Sequence, residues 1–230
     1  GVRSNTYEAS RSPPVLQPSC REGPRVAMPI QTTHTLQRRV EAIAFKAASR
    51  SSDPTRHKCF VSYHHDDQVE VEAFIDGFGD VFIAKALGVS DEDDFIDSDD
   101  TDYVLREIRE KYLTESTVSI VLVGKCTWAR KYVDWEIMST LRNDSKNKRS
   151  GLIGITLPSA ANYSGKKSPD RLADNVQGAK GDEGYARWKK YPESKSSLRS
   201  WIDDAFDARD ARAGLVDNSR SRFLSNRSCP

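Results

Sequence analysis

Three short runs of this chain are almost wholly apolar: CFVSY at 59–63, VSIVLV at 118–123 and GLIGITL at 151–157. A strand with one wet face alternates apolar and polar residues, so runs like these belong to a sheet covered on both sides. Helical spacing fills the intervals. One helix is predicted over 68–78, with Val71, Phe74, Ile75 and Phe78 on a stripe. Another is predicted over 103–113, with Val104, Ile108 and Tyr112 inward and Asp100 or Thr101 as its cap. A third covers 130–142. Strands and helices alternating in this way predict an α/β fold, a flavodoxin-like doubly wound parallel sheet with flanking helices.

The predicted core begins at Lys58. Residues 1–57 hold nine Lys/Arg against four Asp/Glu, several prolines and few large apolar side chains, so they read as a poorly packed or accessory segment. A short helix over 35–48 is the exception, with Leu36, Val40, Ile43 and Ala47 on one side. The chain opens on Gly1, which leaves Met28 as a true start or as an internal residue behind a pro-segment or remnant. Residues 81–84 are a second strand or an apolar loop. Residues 159–196 are polar and glycine-rich. A last amphipathic helix is expected over 197–211, with Leu198, Trp201, Ile202, Ala205 and Phe206 available to pack. The domain is drawn over 58–212, with 213–230 as a disordered tail.

With 35 basic and 34 acidic residues, the net charge of +1 carries no nucleic-acid footprint. No apolar run reaches the eighteen or so residues that span a bilayer, and no signal-peptide block opens the chain. The four cysteines at 20, 59, 126 and 229 form no CxxC pair. Cys59 and Cys126 sit in or beside apolar strands and read as small core residues, which fits a reducing cytosol. A cytoplasmic location is the expectation.

The usual phosphate signatures are missing. GFGDVF at 77–82 has Phe82 in place of the third glycine and no strand before it, and no Walker sequence exists. The run DEDDFIDSDDTD at 91–102 is not a calcium loop: counted from Asp97, Asp102 takes the glycine place and Ile108 the bidentate Glu place. No metal is expected. His64, His65, Asp66 and Asp67 follow the first strand as a polar turn, with Asp67 capping the next helix. A phosphoacceptor domain would put an acidic pair there, but it also needs an Asp and a Lys at later strand ends, where Gly124-Lys125 and Leu157-Pro158 stand.

Glu136 is the residue that packing does not explain. It shares a helix face with Val133, Ile137, Thr140 and Leu141, where packing alone would choose Leu. A buried carboxylate needs a partner or a task. It pairs with Arg130 or Lys131, points out to solvent after a modest helix rotation, or serves a pocket beyond the strand ends, where the rings of Trp128, Tyr132 and Trp135 could stack on a base.

Three segments together resemble a known family: CFVSYHHDD, STVSIVLVGKCTWARKYVDWEIMSTLR and GLIGITLP. The chain resembles a TIR domain, specifically the TIR-like subunit of bacterial Thoeris anti-phage systems, over about 58–208. The resemblance implies an NAD+ glycohydrolase or ADP-ribosyl cyclase type of enzyme whose essential acid matches Glu136. Phe60, Ser62, Tyr63 and His64 match the nicotinamide-side pocket, and Trp135 stands next to the acid as a further substrate-binding residue. NAD+ is then the substrate and no cofactor is implied. The resemblance further implies an ADP-ribose-derived messenger, expected to be cyclic, a separate effector protein that receives it, a phage-derived trigger and homo-oligomers on activation, with no nucleic acid and no membrane. The competing readings are a non-catalytic TIR-type adaptor and a nucleoside-processing hydrolase with a similar sheet.

Overall fold

The computed structural model describes Gly1 and residues 33–53, 55–87, 100–145, 148–165, 168–178 and 182–229. Met28, Cys20, Leu36's side chain and most of the acidic run lie outside the described residues. The chain divides into two units, Gly1–Ile30 and Gln31–Pro230. Every element below belongs to the second.

Five parallel strands form one sheet in the order β2-β1-β3-β4-β5. They are β1 (Lys58–Ser62), β2 (Ile83–Leu87), β3 (Val118–Val123), β4 (Gly151–Thr156) and β5 (Arg187–Lys189). All six residues of β3 and all six of β4 are buried, as strands covered on both faces must be. The apolar loop or strand expected at 81–84 is a strand that starts two residues later. The short β5 was not foreseen, because the sequence RWK has no apolar run to announce it.

One face of the sheet is covered by α2 (Gln68–Phe78) and α7 (Lys195–Ala211), and α1 (Thr33–Ala48) joins the same core through Val40 and Ala44. Helix α7 lies so close to β4 that a Cβ at Gly151 would collide with the Ala205 backbone. The other face carries α3 (Thr101–Ile108), α4 (Lys131–Leu141) and the short α6 (Asp170–Asp174). The four-residue α5 (Pro158–Ala161) follows β4, stopped by the proline. The expected cap of α3 is Asp100, whose carboxylate accepts from the amides of Asp102 and Tyr103 at 3.0 and 3.1 Å. Among the described residues no helix is long and apolar enough to cross a membrane.

Two expectations are corrected. Cys126 is not a free core residue: it is bridged to Cys229, and Cys59 alone is the buried free thiol among the described cysteines. The residues after α7 are not a loose tail either. Phe223 is buried, and residues 217–227 lie across α4 and α6 through a series of hydrogen bonds. Their composition is polar, but the partners that satisfy them sit on distant elements, which local pattern does not show.

Candidate functional site

The strand order reverses direction between β1 and β3, so the crevice beyond their carboxyl ends is the topological switch point of the sheet. Most of the predicted site residues gather at or near it. Alternation along β1 sends Phe60 and Ser62 to the α3/α4 face and Val61 and Tyr63 to the α1/α2 face.

Glu136 sits in the second turn of α4 and is 2% exposed. The Ser62 hydroxyl donates to its Oε2 at 2.5 Å, joining the end of β1 to the helix. One helical turn on, the Ser119 and Thr140 hydroxyls bond at 2.8 Å. Ser119 pairs with Phe60 in the sheet register, so two serines on neighbouring strands meet two polar residues on one stripe of α4. This polar seam runs inside an otherwise apolar helix–sheet interface, where a hydroxyl or carboxylate is tolerated only when bonded. Of the basic residues suggested by the sequence, Arg130 Nε donates to the Cys126 carbonyl at 3.3 Å, and the Lys131 ammonium lies over the Tyr132 and Trp135 rings.

The loop after β1 and the loop after β3 are tied together. Thr127 Oγ1 accepts from the Gly124 amide at 2.9 Å and donates to Asp67 Oδ2 at 3.3 Å. A Cβ at Gly124 would occupy the Asp67 carboxylate's place, so a larger residue there would push this side chain aside. Burial, with help from the nearby Glu70 and Asp66 charges, pushes the Asp67 carboxyl up to about 6; the Thr127 bond works against this. The expected cap by Asp67 on α2 is not made, because its side chain is turned to Thr127.

His64 is 3% exposed and opens a 3-10 turn over His65–Asp67. Burial pushes its imidazole down to about 4, and the positive charges of His65 and Arg130 add to that while Asp66 opposes it. The ring is therefore neutral at pH 7. Its Nε2 lies 3.0 Å from Asp66 Oδ2 but is not aligned as a hydrogen bond. His65 Nε2 is 3.0 Å from the other oxygen of Asp66. The ligand atoms of these three residues fall within 4.8 Å of one another, the donor set of a three-ligand cation site, although the nearest neighbour of each imidazole is already the shared carboxylate.

The remaining predicted residues divide. Phe60 is fully buried among Val104, Leu105, Ile108, Leu113 and Trp135, as part of the core beneath the site. Tyr63 packs against the α1/α2 core on the opposite face, and burial, then the Glu136 charge, raise its phenol well above the usual range. Trp135 is 5% exposed, meets Tyr132 edge-on at 5.7 Å, and donates from Nε1 to the Phe223 carbonyl at 2.9 Å. Buried to that degree, with Lys131 over its ring, it presents no open face for stacking.

Sequence reasoning missed the neighbour of Glu136 on the helix. Asp134 and Arg171, 3% and 0% exposed, form a two-bond ion pair at 2.9 and 3.3 Å. Arg171 also donates to Asn218 Oδ1 at 2.9 Å, and Asp134 Oδ2 accepts the Phe223 amide at 3.0 Å. The signal was present as an acid beside an apolar stripe, but its partner stands 37 residues away.

The family model described as Thoeris protein ThsB, TIR-like domain, matches residues 60–162. The matched span runs from β1 through α5 and contains Ser62, His64, Asp67, Gly124, Thr127 and Glu136. No curated protein matches the chain.

Proposed function

Since the chain carries a TIR-like domain of the Thoeris ThsB family, an anti-phage defence family, we propose that it cleaves the nicotinamide–ribose bond of NAD+ and passes on an ADP-ribose-derived nucleotide. The observation that carries this reading is the buried Glu136 carboxylate, held by Ser62 at 2.5 Å at the switch point of a parallel sheet.

The chemistry asks little more of the protein. NAD+ already carries a cationic leaving group, so nicotinamide departs with the bonding electron pair and no strong general acid is needed. Positive charge develops on the ribose, and a fixed carboxylate in a water-poor site stabilises it. Ser62 orients Glu136, and a ribose hydroxyl donates to the same carboxylate in the complex. Capture of the ribosyl cation within the bound molecule gives a cyclic product, capture by another small molecule gives a conjugate, and capture by water gives ADP-ribose. The neutral His64 and the carboxyl of Asp67 line the strand ends where the substrate's polar groups would lie. NAD+ is the substrate, and no recycled cofactor is required. The location is cytoplasmic, where NAD+ and the effector protein that hears the nucleotide are found; a phage-derived trigger and self-assembly complete the scheme.

One observation favours a second reading. Glu136 is 2% exposed and Trp135 is covered, the pattern of a carboxylate that pins β1 to α4 in a non-catalytic assembly module. A single experiment separates the two. Cells holding the wild-type or Glu136→Gln protein are challenged with phage, and NAD+, nicotinamide and new nucleotides are followed by mass spectrometry. The catalytic reading expects nicotinamide release in the wild type alone; intact NAD+ in both overturns it in favour of the adaptor.

A further inference from the structure

Residues 217–229 are a strap with two parts held by different means. The inner part, 217–223, is locked by buried groups. Asn175 and Asp217 exchange two bonds at 2.7 and 2.9 Å, the Asn218 amide donates to the Met138 carbonyl, and Phe223 is bound at both its amide and its carbonyl. The outer part, 224–229, is exposed: Leu224 stands 84% in solvent. It is tied down by an Asn226 side-chain oxygen that accepts the Lys131 amide at 2.8 Å, by the Arg227 amide on the Ala129 carbonyl at 2.8 Å, and by an Arg227–Asp170 ion pair. The ion pair is half-exposed and contributes little, and the Arg227 guanidinium also lies over the Phe223 ring. The covalent tie of the outer part is the bond from Cys229 to Cys126.

That bond ends on a sensitive loop. Cys126 precedes Thr127, which ties Asp67 to Gly124, and Ala129 and Lys131 lead into the helix that carries Glu136. Both bridged cysteines are partly exposed, whereas Cys59, the free thiol among the described residues, is sealed in the core. Lys125 and Arg130 flank Cys126, and positive charge favours the thiolate as a leaving group. In a reducing compartment a disulfide that forms is characteristically transient and redox-sensing.

We propose that Cys126–Cys229 is a thiol–disulfide exchange site for a dithiol reductant, and that its reduction unlatches residues 224–229 from the β3–α4 loop and the first turn of α4. One thiolate of the dithiol attacks a sulfur of the bridge, and the Cys126–Cys229 bond breaks as a mixed disulfide forms. The second thiol of the reductant then displaces the remaining cysteine. Two electrons and two protons end on Cys126 and Cys229 as thiols, and the reductant leaves as its own disulfide. The loop follows the carboxyl end of β3, at the switch point of the sheet, so freeing it makes the reduced protein the more active one; this last step rests on the NAD+-cleaving reading.

The test uses the full chain without a tag, oxidised with diamide or reduced with dithiothreitol, and a Cys229→Ser variant. Hydrogen exchange by mass spectrometry follows the strap, and nicotinamide release is measured on the same samples after addition of lysate from phage-infected cells that lack the protein, as the trigger. The oxidised protein is expected to yield a linked Cys126–Cys229 peptide. Reduction should speed exchange at 224–229 and at the Lys131 amide at least tenfold, leave 217–223 unchanged, and raise nicotinamide release severalfold. Cys229→Ser should behave as reduced protein and ignore dithiothreitol. Absence of the linked peptide overturns the proposal, as does equal exchange in the two redox states. Equal, measurable nicotinamide release with the strap free overturns the gating. A freed strap with no release in either state counts against NAD+ cleavage itself and leaves the latch standing.

Discussion

The Ser62 hydroxyl reaches Glu136 Oε2 across 2.5 Å, from the last residue of a sheet strand to the second turn of a helix whose first residue lies 69 positions further along the chain. The bond fixes where the carboxylate points. It also makes the pair a test of whether this acid is chemical or only structural.

Glu136→Gln keeps the shape and still accepts from Ser62, so the fold should survive with a loss of less than about 1 kcal/mol, within the range of a single hydrogen bond. If the carboxylate stabilises the ribosyl cation, nicotinamide release falls by about 10²–10³-fold, the usual effect of removing one electrostatic stabiliser. Denaturant unfolding together with a nicotinamide assay on triggered protein checks both. A Gln variant as active as the wild type removes Glu136 from the chemistry.

Ser62→Ala takes one donor from a buried carboxylate without touching the carboxylate itself. We expect a stability loss of about 1–3 kcal/mol, the cost of under-satisfying a buried polar group. As a positioning residue, Ser62 should lower kcat more than it raises KM, and Ser62→Thr should restore part of the rate. An equal effect of Ala and Thr on both constants contradicts this role.

Arg171→Met leaves Asp134 as a buried charge without its cation. Breaking such a pair costs about 3–5 kcal/mol. The inner strap loses the Arg171 bonds to Asn218 and to the Ser221 carbonyl at the same time. Thermal unfolding and exchange at 217–223 should both register the change, since the Trp135 indole is bonded to the same segment. A variant as stable as the parent would show that the ion pair contributes nothing net.

Two groups at the strand ends give opposite pH dependences. Asp67 is pushed up to about 6 by burial, against about 4 in an unfolded chain. Between those values the native state holds a proton that the unfolded state has released, so this group's contribution to stability falls as pH rises from 4 to 6. His64 is pushed down to about 4, against about 6.5 unfolded. Over that window the unfolded state binds the extra proton, so its contribution falls as pH drops from 6.5 to 4. Asp67→Asn should therefore gain stability relative to the wild type between pH 4 and 7, and His64→Asn should gain between pH 7 and 4. Urea titrations across that range measure each difference. A flat difference for either variant contradicts the burial of that group.

Much of the fold was legible because fully covered strands cannot hide. Runs such as VSIVLV and GLIGITL are readable from composition alone, and the stripes of α2, α4 and α7 follow from helical spacing. Glu136 was legible for the converse reason: a carboxylate on an apolar stripe breaks the pattern that packing would impose. Ser62 could be picked out only by family resemblance, and Trp135 was read as a ring open for stacking. Its indole N–H is instead bonded to the Phe223 carbonyl and its ring is buried, a contact 88 residues distant that no local pattern encodes.

The sequence by itself determined the class of fold and which helix carries the odd acid, because burial and periodicity act over a few neighbouring residues. The tertiary structure alone decided what that acid touches. It brought Ser62 to Glu136, set Asp67 against Gly124, paired Asp134 with Arg171 and laid 217–229 over α4 with Cys229 on Cys126. Each of these joins residues tens of positions apart. Such contacts depend on how the layers stack, a property of the packed whole that no single segment carries.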